Sequence, residues 1–350
     1  MGKRIVIVGA GAIGAYVAAH LIRAGEDVTI VDFWPENVEV IRNDGIHIKG
    51  VTSQEEFKIK ANAFHVTEIQ DFIKQDPFDI ALISVKSYDT VWATEMIKQY
   101  MAPDCYYVSL QNCINEERLA SVVGWGKTLG SVVCLMAGEL VGPGKMERYV
   151  PLGGENHTVF RVGEVHGRVT PRAEEIAALL RHADSAIATP NLWGERWSKL
   201  TINGMRNGLC ACTGYSGNKR DTLEEPRWLS IRLGAEAIRV GKAHGYQLEK
   251  LQSLEPDWYV EAADGNKGSF KKIADFYDEF SKTRKEEQRP SMGQDILKGR
   301  RTEIDYINGL IIEKGKELGI PTPCHEAVHG LVSKIERGLL RPSPENIKGI

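Results

Sequence analysis

The sequence predicts an α/β chain in which a doubly wound parallel sheet is followed by an all-α domain. Three observations carry that prediction. A short apolar run at the N-terminus, Ile5–Val8, ends in closely spaced glycines. Strand-like and helix-like segments then alternate for roughly the first half of the chain, the grammar of helices packed on a parallel sheet. Beyond Leu192 the strand signals fade and helical periodicity takes over. The 350 residues suit two domains, expected at 1–190 and 191–350.

Ile5–Val8 is β-branched and apolar, as a strand buried on both faces must be. Gly9-Ala10-Gly11-Ala12-Ile13-Gly14 follows it and opens a helix over Ala12–Ala24, with Gly25 as its stop. Gly9 permits the tight turn, Gly11 lets backbone approach a pyrophosphate, and Gly14 lets the helix pack close to the strand. The helix start, including Ala12 and Ile13, offers N–H groups and a positive dipole end to phosphates. Val28–Val31 is the second strand, and Asp32 at its end can accept hydrogen bonds from ribose hydroxyls. Glycine spacing, strand–helix context and the acid together predict a Rossmann dinucleotide site. A carboxylate at position 32, with no cation before Arg42, favours NAD over NADP.

Further along come a helix near Asn37–Asn43, short strands at Ile46–Lys49 and Phe57–Lys60, and a buried strand at Asp79–Val85. A helix over Asp89–Tyr100 and strands at Tyr106–Leu110 and Leu129–Val133 continue the alternation. Strands near Tyr149–Leu152 and Thr158–Val162, a helix over Pro171–His182 and a strand at Ala186–Thr189 complete it. The second half predicts helices at Trp197–Gly208, Trp228–His244, Phe270–Thr283 and Thr302–Leu318, then one from Pro323 to about Arg337. A cleft between two such domains is the natural place for a small substrate.

Composition narrows the function classes. With 42% hydrophobic residues, 26% charged residues and a net charge of −3, nothing favours nucleic acid or an anionic membrane. The longest apolar runs fall short of a membrane span. With the first strand expected from residue 5, no signal peptide is expected. Six scattered cysteines read as reduced thiols, so a cytoplasmic protein is expected. An apolar helical domain is compatible with a homodimer.

Two polar clusters in the second half could carry chemistry. Lys199, Asn203 and Asn207 fall at i, i+4 and i+8, along one helix face. Such a face could orient a polar substrate, or simply be solvated. The second runs from Ser291 to Gly309 and includes Glu303, Asp305, Arg300 and Arg301. Thr302 could cap the long helix, with Asp305 standing in for a capping-box acid; Glu303 and Asp305 also suit a helix N-terminus. His325-Glu326-Ala327-Val328-His329 satisfies the zinc motif H-E-x-x-H, but lacks a convincing third ligand, so no metal is expected.

At these clusters the sequence resembles the ketopantoate reductase (2-dehydropantoate 2-reductase) family over nearly the whole chain. The shared features are the Gly9–Gly14 fingerprint, Ser84-Val85-Lys86-Ser87, Leu110-Gln111-Asn112, Trp197-Ser198-Lys199-Leu200 with Asn203 and Asn207, Ser291-Met292-x-Gln294-Asp295 and Thr302–Gly309. The resemblance implies a helical domain like that of 6-phosphogluconate dehydrogenase and reduction of a branched 2-oxo acid by a nicotinamide cofactor. It puts Lys199 on the catalytic general acid and Glu303 on its partner carboxylate. Ser291, Asn203 and Asn207 fall on substrate contacts, and Asn112 and Lys86 near the nicotinamide ribose and bound acid.

There are departures. The family commonly has Leu-Gln-Asn-Gly-x-Gly where this chain reads Leu110-Gln111-Asn112-Cys113-Ile114-Asn115, and Cys113 could be reactive. The stretch 251–289 is longer than in compact members and carries Trp258, Tyr259, Phe270, Phe276, Tyr277 and Phe280. It leads into Ser291, so it could reshape the substrate entrance. Another hydroxylated substrate, aromatic or sugar-derived, is therefore an alternative, as is a non-catalytic NAD-binding redox sensor.

Overall fold

Arg4–Val8 forms β1, with Ile5 and Ile7 in one apolar layer and Val6 and Val8 in the other. That two-sided burial is what the unbroken β-branched run encodes. The structure, a computed structural model, describes residues 2–286 and 288–350. The chain divides into two compact units, Met1–Leu192 and Trp193–Ile350.

In the first unit β1 leads through α1 (Ala12–Arg23) to β2 (Asp27–Asp32), α2 (Pro35–Asn43), β3 (Ile46–Lys49), β4 (Phe57–Ile59) and β5 (Asn62–His65). Then come β6 (Phe78–Ile83), α3 (Thr90–Lys98), β7 (Met101–Ser109), α4 (Glu116–Val123) and β8 (Thr128–Val133). The unit closes with β9 (Gly138–Gly142), β10 (Lys145–Arg148), β11 (Phe160–Glu164), α5 (Pro171–Leu180) and β12 (Ala186–Thr189). The main sheet has the order β12-β11-β8-β7-β6-β1-β2-β5. Every join is parallel except β8–β11. Strand order reverses at β1, so the ligand crevice belongs at the carboxyl ends of β1, β2 and β6. A small second sheet, β4-β3-β10-β9, is mostly antiparallel.

The strand expected at Tyr149–Leu152 is not there; the strand is Lys145–Arg148. Its last residue explains the shift. The buried Arg148 guanidinium donates to the carbonyls of Val150 (2.9 Å) and Pro151 (2.9 Å) and pairs with Asp184 at 2.6 Å. Side-chain bonds thus satisfy carbonyls that a strand ladder would otherwise use. β5, β9 and α4 were not expected: the two strands lack an alternating apolar pattern, and α4 is only eight residues long.

The second unit is helical: α6 (Leu192–Thr213), α7 (Gly217–Thr222), α8 (Glu224–Ala243), α9 (Pro256–Ala263), α10 (Lys267–Ser281), α11 (Ser291–Leu297), α12 (Ile304–Glu317) and α13 (Pro323–Glu336). Residues 203–213 of α6 are buried all round, which makes it the central helix. Gly241 of α8 lets it approach α6: a Cβ there would lie 2.1 Å from Trp197 Nε1, whose N–H donates to Ala237 O at 2.8 Å. The expected Thr302 cap is displaced by one residue. Glu303 is the N-cap of α12, its side chain making no capping bond to the first turn, while Thr302 Oγ1 accepts from Ile304 N at 3.2 Å. Asp305 bonds His329 rather than forming a capping box. Among the described residues no helix is long and apolar enough to cross a membrane.

Candidate active site

In the first unit the three fingerprint glycines differ in what surrounds them. Gly9 has φ +99°, and a Cβ there would lie 2.8 Å from Val85 N, at the end of β6. Gly14 packs closer still, its hypothetical Cβ 1.9 Å from Gly9 O. Gly11 has nothing within 4 Å, so its backbone faces open space where a pyrophosphate would fit. Ala15 N is bonded to Gly11 O at 2.9 Å, and Gly11 supplies no side-chain cap, so the donors of the first turn, over Ala12, Ile13 and Gly14, lie at the open helix end. A dinucleotide fits this cradle.

Asp32 is only 5% exposed. Its Oδ2 accepts from Ala10 N (2.7 Å) and Asn37 Nδ2 (3.1 Å), and its Oδ1 from Trp34 N (3.0 Å). The acid therefore fixes the glycine loop to the start of α2. Oδ1 keeps acceptor capacity for a ribose hydroxyl.

Lys86 and Asn112 follow β6 and β7, in loops that are tied together. Gln111 Nε2 donates to Val85 O (2.8 Å) and Thr90 Oγ1 (2.7 Å). Asn115 Nδ2 donates to Ser87 Oγ (3.0 Å) and Asn112 O (2.9 Å). Cys113 sits at φ +66°, a left-handed conformation glycine adopts without cost, and its thiol is buried. The departure from the family pattern thus keeps a glycine-like backbone and adds an asparagine brace. All six cysteines are free thiols.

In the second unit α6 carries Lys199, Asn203 and Asn207. Asn203 is 7% exposed and Asn207 5%, which removes the solvated-face alternative; Lys199 is half-buried. Asn203 Nδ2 is buried without a protein hydrogen-bond partner. Such an orphan donor costs about 1–3 kcal/mol unless something accepts from it. Glu303, 4% exposed, is the residue just before α12. Close approach at glycines brings α12 onto α6: a Cβ at Gly208 would lie 3.4 Å from Ile304 Cδ1, and one at Gly204 would lie 2.7 Å from Ile311 Cδ1. The turn of Asn207 and the start of α12 are therefore neighbours. Ser291 is the first residue of α11 and half-buried.

The zinc motif resolves into structural roles. His325 Nε2 donates to Leu233 O at 2.9 Å, and its Nδ1 accepts from Asn308 Nδ2 at 2.9 Å. Burial lowers its pKa to about 4, and the Leu233 bond opposes that shift only in part. His329 instead meets Asp305 at 2.9 Å. Among the described residues no group of three His, Cys, Asp or Glu side chains is placed to hold a metal ion.

The sequence reading missed the groups that frame the polar face of α6. Arg206 lies about 20° round the helix from Lys199. Its guanidinium bonds Asp221 at 2.7 Å and Gln252, and stacks 5.2 Å from the Tyr277 ring. Tyr277 and Tyr259 share a hydrogen bond of 2.5 Å between their hydroxyls, and burial raises both pKa values. These rings of the long 251–289 stretch are core residues covering Arg206. The signal for Arg206 was available: it occupies i+7 from Lys199.

Comparison with known proteins covers nearly the whole chain. The family model described as ketopantoate reductase PanE/ApbA matches residues 5–154, and that described as ketopantoate reductase PanE/ApbA C terminal matches residues 191–336. The 2-dehydropantoate 2-reductase of Archaeoglobus fulgidus is 30% identical over 342 residues, covering 96% of this chain and 99% of that protein. A PanE/ApbA family ketopantoate reductase from Ralstonia eutropha JMP134 superposes with a TM-score of 0.76 at 26% identity, over 96% of this chain and 99% of that one. D-mandelate dehydrogenase with NADH and anilino(oxo)acetate shares the fold, with a TM-score of 0.78 at 22% identity over 96% and 99% of the two chains.

Proposed function

The chain belongs to the ketopantoate reductase family, and from that premise we propose that it reduces a 2-dehydropantoate-like, branched 2-oxo acid, with Lys199 as general acid. Membership makes it an NAD(P)-dependent oxidoreductase acting on a keto or hydroxy group of a 2-oxo acid. The observation that supports the finer reading is the buried polar face of α6, where the Asn203 amide nitrogen has no protein acceptor and is available to a bound polar ligand.

A reduced nicotinamide, when bound, supplies a hydride to the carbonyl carbon. The chain's own residues do the rest. Lys199 delivers a proton to the carbonyl oxygen as negative charge develops there. Glu303 orients the ammonium, Asn203 and Asn207 hold substrate hydroxyls, and Ser291 contacts the carboxylate. In the first unit Gly9, Gly11 and Gly14 with Ala12 and Ile13 cradle the pyrophosphate, Asp32 meets the ribose, and Lys86 and Asn112 line the nicotinamide end.

Lys199→Ala should lower turnover of the 2-oxo acid by about 10²–10⁴-fold while leaving cofactor affinity unchanged. Near-wild-type turnover would remove Lys199 from the mechanism. We also assign NAD as the preferred cofactor, because Asp32 is a fixed carboxylate where a 2′-phosphate would sit. Like charges 4 Å apart repel by about 1 kcal/mol even in water, so kcat/KM should favour NADH at least about fivefold. A preference for NADPH would overturn that assignment.

A further inference from the structure

We propose that Asp221 and Arg284 form a clamp that sets substrate affinity by fixing the segment before Ser291 against helix α6. The inference rests on the assignment of Asn203, Asn207 and Ser291 to the substrate. It adds two positioning residues, neither of which touches the reacting atoms.

Asp221 lies in the last turn of α7 and is 2% exposed. Its Oδ2 accepts from Arg206 Nη2 at 2.7 Å, and Arg206 is the residue before Asn207 on α6. The same oxygen accepts from Arg284 Nη2 at 2.6 Å, and Arg284 lies seven residues before Ser291. One carboxylate oxygen therefore joins the two segments that carry the substrate residues. Arg220 completes the hub with bonds of 2.7 Å to each Asp221 oxygen.

The segment 282–286 is tied to the hub through Arg284. Lys282, Thr283, Lys285 and Glu286 are exposed, so little apolar burial holds it. Arg284 instead turns inward, its side chain 12% exposed and lying over the Phe280 ring at 4.7 Å. Around it Gly217 N donates to Gln288 O at 2.9 Å, and Asn218 Nδ2 to Glu286 Oε2 at 3.1 Å. Gly217 makes room, since a Cβ there would lie 2.8 Å from Arg284 Nη1. From Gln288 the chain runs straight into α11 and Ser291.

Arg284 is also the member best placed to let go. Burial, together with Arg206 and Arg220, lowers its pKa against the opposing pull of Asp221, and its Nε is buried without a partner. Arg220, by contrast, is held bidentately. The outer arginine is thus the adjustable end of the clamp.

The test uses the full-length enzyme and Arg284→Gln, with Arg284→Lys beside it, since Asp221 variants could fail to fold. Steady-state kinetics with 2-dehydropantoate and branched 2-oxo acids should show KM raised about tenfold in Arg284→Gln, the equivalent of one charge-assisted hydrogen bond. Turnover at saturation and cofactor affinity should stay within about threefold, and Arg284→Lys should recover part of the KM, because a lysine keeps the charge but not the fork. An unchanged KM in an active Arg284→Gln enzyme would overturn the clamp and leave the functional reading intact. If the wild type turns over no 2-oxo acid, the functional reading fails instead. Amide exchange then decides the clamp: faster exchange across 282–291 in Arg284→Gln supports it, and unaltered exchange ends it.

Discussion

Helix α6 is gripped on two faces, and the two grips work by different physics. On the Gly204 side the network is neutral. Asn308 Nδ2 donates to Gly204 O at 3.0 Å and to His325 Nδ1, and His325 passes the chain on to Leu233 O. Four helices, α6, α12, α13 and α8, meet through one amide and one imidazole. On the Arg206 side the network is charged, with three guanidiniums on a single carboxylate. Burial alone would raise the Asp221 pKa, but the three cations outweigh it and hold the carboxyl below its ordinary range. The neutral network needs only correct geometry and tautomer. The charged one needs its anion, because without Asp221 like charges would face each other away from water. The rigid, glycine-lined grip fixes where the α6 backbone lies; the charged one ties in the segment before Ser291.

The contrast breaks first at Asp221. Asp221→Asn should cost about 3–5 kcal/mol of stability, because it strands buried charge rather than merely deleting a bond. Denaturant melts check this, and a loss under 1 kcal/mol would mean that solvent already screens the arginines.

Acidification should break the neutral grip before the charged one. His325 has a folded pKa of about 4 against an ordinary 6.5. Its contribution is complete above pH 6.5 and is lost as pH falls towards 4, because only the unfolded chain takes up the proton in that window. The expected loss is about 3 kcal/mol for His325. His20 in the first unit, also lowered to about 4 mainly by burial, adds its own share. Asp221, with its pKa depressed, keeps its contribution down to the ordinary aspartate range and loses it only below. Stability measured from pH 7 to 4 should be flatter in His325→Gln than in the wild type; identical slopes would exclude His325 as the titrating group.

The smallest effect sharpens the comparison. Asn308→Ala leaves the His325 acceptor and the Gly204 carbonyl short of a donor and should cost about 1–3 kcal/mol. A thermal melt that matched the wild type would show that glycine packing alone seats α12 on α6.

How much of this was legible depended on range. The glycine turn at Gly9, the helix stop at Gly25 and the alternating buried strands follow from dihedral freedom and side-chain period, which neighbouring residues set among themselves. So did the spacing of Lys199, Asn203 and Asn207 along one helix face. Polar strands such as Lys145–Arg148 escaped, because their place in the second sheet rests on partners far along the chain. The same holds for the site. Asp32 reads as a ribose acceptor from its position, yet three backbone and side-chain donors had to be seen before its second role in holding the loop emerged.

By itself the sequence determined the two-part architecture, the dinucleotide fingerprint and the family, because these are written in local periodicity and in short motifs. Only the tertiary structure decided which buried charges meet. Whether Arg206 is a surface cation or the partner of a buried carboxylate, and whether His325 is a metal ligand or a neutral link, depends on groups many residues away. The energy of a buried polar atom is set by what touches it, and adjacency in the chain does not specify that.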